Sequence, residues 1–216
     1  MHPLAGLYAI TDTTLLPGDA LYPGVAAAIA GGARLIQYRD KGADRPRRLA
    51  TATALLHLCR THNIPLIIND DVVLASEIGA DGVHLGRDDG DVEQARATLG
   101  PDAIIGVSCY NEWPRAEAAR DAGADYVAFG AFFASATKPH AMPAHATLLK
   151  RARQALGLPV AAIGGITPAN GAPLVAAGAD MLAVIQGIFA RPDIRRAAGD
   201  YARLFDSSET TMKDAL

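Results

Sequence analysis

Short runs of apolar, β-branched and aromatic residues recur eight times along the chain, at 7–10, 35–38, 66–69, 82–85, 104–108, 126–130, 160–163 and 181–185. Most are separated by Ala- and Leu-rich stretches whose apolar positions repeat with the period of a helix. Strands alternating with helices predict a parallel sheet with helices packed outside it. Eight such units close naturally into a single (β/α)8 TIM barrel. A doubly wound open sheet is the alternative, and it does not account for the count of eight.

A weak internal repeat supports the barrel. The even-numbered runs are entered through Gly32-Ala33-Arg34, Gly79-Ala80-Asp81, Gly123-Ala124-Asp125 and Gly178-Ala179-Asp180. Glycine there suits the left-handed end of a helix. The third, fifth and seventh runs follow Pro65, Pro101 and Pro159 instead, so the repeating unit is a pair of βα units, used four times. Asp44 before Pro46, Asn111 before Pro114 and Thr167 before Pro168 read as helix starts, each pairing a capping side chain with a first-turn proline. The longest loop, 132–143, is rich in Ala, Ser, Thr and Pro and reads as a lid. One barrel domain is expected over 1–205, followed by a polar tail at 206–216 that has no clear period.

Composition narrows the function. Half of the 216 residues are hydrophobic, and the net charge of −3 is spread over both signs. No basic face for nucleic acid and no polybasic membrane anchor stand out. The longest apolar stretches are too short to span a bilayer. Cys59 and Cys109 lack ligand-like spacing and fit two buried thiols in a reducing compartment better than a bridge. Met1-His2-Pro3-Leu4 leads straight into the first strand with no leader-like pattern, so a cytoplasmic protein is expected. Any anionic ligand must be held by a local cluster of cations, and the oligomeric state is left open.

In a barrel of this kind the chemistry sits where the strands end. The second strand ends Gln37-Tyr38-Arg39-Asp40-Lys41, and alternation puts Gln37, Arg39 and Lys41 on one side. Inward cations call for an anion, although two solvated rim charges are the plainer reading. The third ends Asn69-Asp70-Asp71, and the fourth runs His84-Leu85-Gly86-Arg87-Asp88-Asp89. Carboxylates at neighbouring strand ends without soft ligands suit Mg2+, while an aspartate after the third strand is equally a helix cap. His84, between Gly82 and Gly86, should point inward, and by itself reads as a satisfied core histidine. Ser108 ends the fifth strand, and Ser135-Ala136-Thr137-Lys138 adds two hydroxyls and a third cation after the sixth. Gly164-Gly165, ahead of a helix start, offers backbone amides to a phosphate. Gln186-Gly187 follows the eighth. Together these form a ring with Arg39, Lys41 and Lys138 as cations, Asp70 and Asp89 as metal ligands, and a phosphate cradle opposite.

Over about residues 7–190 the chain resembles the thiamine-phosphate synthase family. The resemblance rests on Gln37, Arg39 and Lys41, on Ile68-Asn69-Asp70-Asp71, and on Asp81-Gly82-Val83-His84-Leu85-Gly86 with Asp89. Gly106-Val107-Ser108, Thr137-Lys138 and Ala162-Ile163-Gly164-Gly165-Ile166 complete it in order. It implies condensation of a hydroxymethylpyrimidine diphosphate with a thiazole phosphate, giving thiamine phosphate and diphosphate. Gln37 and His84 would then hold the pyrimidine. Arg39, Lys41, Asn69, Ser108 and Lys138 would hold its diphosphate, and Asp70 and Asp89 the Mg2+. Ser135, Thr137 and Gly165 would meet the thiazole phosphate, with Ile185 and Gln186 beside it. The chain departs from the family pattern at Ser135 for threonine, Ala134 and Ala136 for proline, Tyr110 for histidine and Gln186 for serine.

The expected reaction is a substitution with dissociative character at the pyrimidine methylene, with Arg39, Lys41, Ser108 and Lys138 stabilising the departing diphosphate. Two rivals share the fold. A thiazole tautomerase needs a general base, and the sixth strand end supplies Phe132, Phe133 and Ser135 instead of a carboxylate. A non-catalytic sensor of thiamine precursors has no need of metal carboxylates. Small-molecule substrates, without nucleic acid or membrane, are the expected partners.

Overall fold

The eight apolar runs form eight parallel strands in sequential order, and the first pairs with both the second and the last to close a barrel. A computed structural model describes residues 4–134 and 144–213, with side chains through residue 206. The strands are β1 (Gly6–Ile10), β2 (Ala33–Tyr38), β3 (Leu66–Asn69), β4 (Gly82–Leu85), β5 (Ile104–Tyr110), β6 (Tyr126–Phe129), β7 (Val160–Ile163) and β8 (Met181–Val184). Helices α1 (Leu21–Ala30), α2 (Arg45–Thr61), α3 (Val72–Ile78), α4 (Val92–Leu99) and α5 (Trp113–Asp121) follow the first five strands. After β6, β7 and β8 come α6 (Ala146–Ala155), α7 (Pro168–Ala176) and the short α8 (Gln186–Phe189), and α9 (Ile194–Lys213) closes the chain. The polar stretch read as a tail from 206 continues α9 as far as Lys213. Most of the expected lid, including Ser135, Thr137 and Lys138, lies outside the described residues.

Alternation along each strand sorts side chains into two apolar layers. Tyr8, Leu35, Ile67, Tyr126 and Met181 fill the barrel interior. Ile36, Tyr38, Ile68, Val83 and Phe129 face outward under the helices. Gln37 therefore points inward and Tyr38 outward, as the strand pattern predicts. Cys59 and Cys109 are both buried and unbridged, and burial pushes each thiol up to about 12, which leaves them inert as nucleophiles. Among the described residues no helix is long and apolar enough to cross a membrane.

The Gly-Ala repeat marks the face where the strands begin. Gly32, Gly79, Gly123 and Gly178 all adopt positive φ, from 66° to 113°, a conformation that a Cβ disfavours. Three of the four repeats end in aspartate, and each aspartate clamps its strand to the preceding one. Asp81 Oδ2 accepts from Leu66 N at 2.8 Å, Asp125 Oδ2 from Ile105 N at 2.7 Å, and Asp180 Oδ2 from Val160 N at 2.8 Å. The backbone answers in the other direction, with Asp81, Asp125 and Asp180 amides donating to the Leu66, Ile105 and Val160 carbonyls. Arg96 reinforces the middle clamp, reaching the Ala103 carbonyl and Asp125 Oδ2. Val160 is fully buried, so removing its acceptor strands a buried amide. Asp180→Ala is expected to cost about 1–3 kcal/mol of stability. A melting curve checks the loss, and turnover per folded molecule should stay unchanged.

Two helix starts follow the sequence reading and one does not. Asp44 Oδ1 accepts from Arg47 N at 3.0 Å at the start of α2, and the Asn170 side chain accepts from Thr167 N at 2.7 Å at the start of α7. Asn111 is not a cap: α5 begins one residue later, behind Glu112, which makes no side-chain capping bond. The reason is a turn between β5 and α5, where Tyr110 sits at φ 55° and Glu112 N donates to Cys109 O at 2.9 Å.

Candidate active site

At the opposite face, where the strands end, a cavity of about 440 Å³ opens into the barrel. Gln37, Arg39, Lys41, Asn69, Asp70, His84, Asp89, Ser108, Gly165, Ile185 and Gln186 all border it. Every expected site residue within the described part of the chain is thus brought to one place.

The acidic side is built by β2, β3 and β4. Lys41 Nζ is ion-paired with Asp70 Oδ2, and Asn69 Nδ2 donates to the same oxygen at 2.6 Å. Asp70 N donates to His84 O at 2.9 Å, and the residue is held at φ 65°. A non-glycine residue in the left-handed region is strained, and such strain collects at functional sites. Asp89 Oδ2 accepts from Gly86 N at 2.9 Å. Burial, and then the neighbouring Asp70 carboxylate, push the Asp89 carboxyl above its ordinary value. Two carboxylates facing one another suit a divalent cation, and two are as many as Mg2+ usually takes from a protein. No cluster of three or more His, Cys, Asp or Glu side chains suited to a metal occurs among the described residues, so oxygen atoms from a ligand or water would have to complete the shell.

The structure separates Asp70 from Asp71. Asp71 Oδ1 accepts from Leu74 N at 2.8 Å as the cap of α3, and its other oxygen pairs with Arg48 at 2.8 Å. Asp71 is therefore structural, and Asp70 is left facing the cavity.

Arg39 is half-buried at the cavity, and among the described residues its guanidinium has no carboxylate partner within ion-pair distance. Its backbone N donates to Thr11 Oγ1 at 3.0 Å, which ties the end of β2 to β1. Asp40, on the other side of the strand, is buried and pairs with Arg47 at 2.7 Å while accepting from Gly42 N at 2.8 Å. Burial alone would raise its carboxyl, but the Gly42 amide, the Tyr38 hydroxyl and Arg47 hold it below the ordinary value. That anchored turn sets where Arg39 and Lys41 project.

The opposite wall is glycine and backbone. Gly164 and Gly165 have φ of 102° and 60°. A Cβ on Gly165 would lie 2.5 Å from the Ala134 carbonyl and 2.8 Å from Phe133, so no side chain fits. Tyr201 of α9 donates to the Ile166 carbonyl at 2.9 Å and lies where a Cβ on Gly187 would clash. It thereby holds the β7–α7 turn beside the start of α8. Ile185 is half-buried there, and Gln186 is exposed as the first residue of α8.

Three contributors were not legible as site residues. Tyr8 and Tyr126 fall within the apolar runs 7–10 and 126–130, and their hydroxyls lie 2.8 Å apart inside the barrel. Arg115 of α5 donates to the Ser108 carbonyl at 2.7 Å and the Gly86 carbonyl at 2.8 Å, stapling the ends of β5 and β4. The only sequence signal was a tyrosine at an inward position on β1 and β6 and an arginine in the first turn of the helix that follows β5. His84 proves to be both a satisfied histidine and a cavity residue. Its Nδ1 lies 2.9 Å from Tyr126 OH and its Nε2 lies 2.8 Å from Ser108 Oγ. Tyr110 borders the cavity beneath Arg87, whose guanidinium carbon lies 4.9 Å from the ring centre.

Residues 7–188 match the family model described as thiamine monophosphate synthase. The thiamine-phosphate synthase of Nitrosococcus oceani is 54% identical over 204 residues, which cover 94% of this chain and 94% of that protein. That of Thiobacillus denitrificans is 54% identical over 200 residues, covering 93% and 94%. Among solved structures, a thiamine phosphate pyrophosphorylase from Pyrococcus furiosus superposes with a TM-score of 0.84 at 31% identity, covering 95% of this chain and 96% of that one. A barrel with these residues at its mouth and a family match along most of its length lead to one conclusion: the chain belongs to the thiamine monophosphate synthase family.

Proposed function

We propose that the protein joins a hydroxymethylpyrimidine diphosphate to a thiazole phosphate, releasing diphosphate and forming thiamine phosphate. The observation that carries this reading is the pairing of Asp70 and Asp89 in one cavity with Arg39, which makes no ion pair among the described residues. That arrangement suits a ligand bearing both a metal and several phosphate charges. A neutral or monophosphate ligand would leave much of it without purpose.

Asp70 and Asp89 would hold Mg2+, which when bound supplies a positive centre against the charge of a diphosphate. Arg39 stabilises the negative charge that develops on the diphosphate oxygen as the methylene–oxygen bond lengthens, and Ser108 donates a hydrogen bond to the same group. Lys41 and Asn69 converge on Asp70 and hold its carboxylate in place. We assign Lys138 as a further diphosphate cation, and Ser135 and Thr137 as contacts of the thiazole phosphate. Gln37 and His84 orient the pyrimidine, whose electron-rich ring sustains positive charge at the methylene, so bond breaking runs ahead of bond making. The Gly165 amide and the backbone near Ile185 and Gln186 seat the thiazole phosphate. Its ring nitrogen then forms the new carbon–nitrogen bond. No protein nucleophile takes part.

The test is an assay of the purified protein with both substrates, reading thiamine phosphate as its fluorescent oxidation product. Product that requires Mg2+ and vanishes with a chelator is the expected result. A folded protein that makes no product overturns the reading.

A further inference from the structure

Five side chains from five different strands form one hydrogen-bonded row across the barrel interior. Gln37 Nε2 of β2 donates to Tyr8 OH of β1. Tyr8 OH lies 2.8 Å from Tyr126 OH of β6, which lies 2.9 Å from His84 Nδ1 of β4. His84 Nε2 lies 2.8 Å from Ser108 Oγ of β5, at the cavity.

The first link has a fixed sense, because an amide nitrogen only donates. Tyr8 oxygen accepts from Gln37, so the Tyr8 hydrogen is directed to Tyr126. Tyr126 accepts it and directs its own hydrogen to His84 Nδ1. Burial holds both phenols well above their ordinary titration range, so each keeps the hydrogen this requires. A neutral imidazole whose Nδ1 accepts carries its hydrogen on Nε2. That hydrogen meets Ser108 Oγ, and the Ser108 hydroxyl hydrogen must turn away from His84.

We infer that Tyr8 and Tyr126 are positioning residues: they carry the donor sense of Gln37 to His84, fix its Nε2–H tautomer, and turn the Ser108 hydroxyl hydrogen toward the ligand. The last step rests on the reading that Ser108 faces a diphosphate, whereas the tautomer itself does not. The row matters because a serine hydroxyl has no preferred sense of its own. Set as a donor before the substrate arrives, it needs no reorientation as charge develops on the leaving group.

Nitrogen-15 NMR of the ligand-free protein tests the row directly, with the His84 ring assigned by comparison with His84→Gln. The wild type should show His84 as a single Nε2–H tautomer. Tyr126→Phe should give a mixture of tautomers. Tyr8→Phe touches neither His84 nor Ser108, removes a single oxygen, and should also shift the His84 ring nitrogens. Turnover provides the second readout. Tyr8→Phe should lower kcat about five- to tenfold, the worth of one neutral hydrogen bond. In a Ser108→Ala background the same change should cost nothing further, because the group it orients is gone.

An Nδ1–H tautomer in the wild type overturns the inference. So do ring nitrogens unmoved by Tyr8→Phe, or a Tyr8→Phe loss that persists in full when Ser108 is alanine. The NMR measurement uses no substrate, so a wild type that fails to make thiamine phosphate would sink the functional reading and leave the tautomer result standing.

Discussion

Asp70→Asn is expected to lower turnover by about a hundredfold or more while leaving the melting temperature nearly unchanged. The catalytic loss follows from removing one of two oxygen ligands that Mg2+ would take from the protein. The stability argument is separate. Asp70 occupies the left-handed region at φ 65°, where asparagine is among the few side chains tolerated. Its ion pair with Lys41 is largely solvated, with the lysine side chain 61% exposed, and such pairs contribute little. Asp70→Gly sharpens the contrast. It removes the carboxylate and the backbone strain together, so it should be inactive yet melt at or above the wild-type temperature. Magnesium titrations of turnover, beside melting curves of the three proteins, check both halves. Wild-type activity of Asp70→Asn at ordinary magnesium would mean that Asp70 is not a ligand.

Arg39→Ala is expected to lower kcat by about 100- to 1000-fold, the loss found when one preorganised donor to a developing anion is removed. The basis is the half-buried guanidinium at the cavity without a carboxylate partner among the described residues. Arg47 and Arg48 are engaged with Asp40 and Asp71, and Lys41 with Asp70. Arg39 makes no such pair among the described residues and acts on the Asp12 carboxyl only at longer range, so its charge is available to a ligand. Removing it breaks no ion pair, so stability should hold or rise slightly. Arg39→Lys should recover part of the rate, because it restores charge but not the flat, forked set of donors. Steady-state kinetics with each substrate varied in turn decide the matter, and full turnover in Arg39→Ala would remove it from the mechanism.

The architecture was legible because hydrophobic burial imposes a local rhythm. Strands buried on both faces read as apolar runs, and glycine at positive φ punctuates every second unit whatever the distant partners are. The ends were less legible. β5 extends past Ser108 to Tyr110, which meets Phe129 of β6 across a shift of register after Ser108, and one strand cannot announce where its pairing with a neighbour slips. The acidic side of the site was readable because Asn69, Asp70 and Asp89 lie at strand ends, where the fold puts chemistry. The division of labour between Asp70 and Asp71 was not. It depends on which carboxylate turns back to the Leu74 amide, a matter of one backbone angle. Tyr8 and Tyr126 were hidden for a different reason. They lie 118 residues apart, and each alone is an ordinary core aromatic. Only closure of the barrel brings the two hydroxyls together.

The aspartate clamps at the strand-starting face have a consequence for recombination between related barrels. Each clamp closes within a pair of units, β3 with β4, β5 with β6, and β7 with β8. A crossover placed between pairs transplants an accepting aspartate together with the amide that donates to it. A crossover placed inside a pair joins an aspartate from one parent to a strand start from the other, where any backbone offset leaves both without partners. Chimeric barrels cut at 64 should therefore fold more often than those cut at 80, even with equal numbers of exchanged residues.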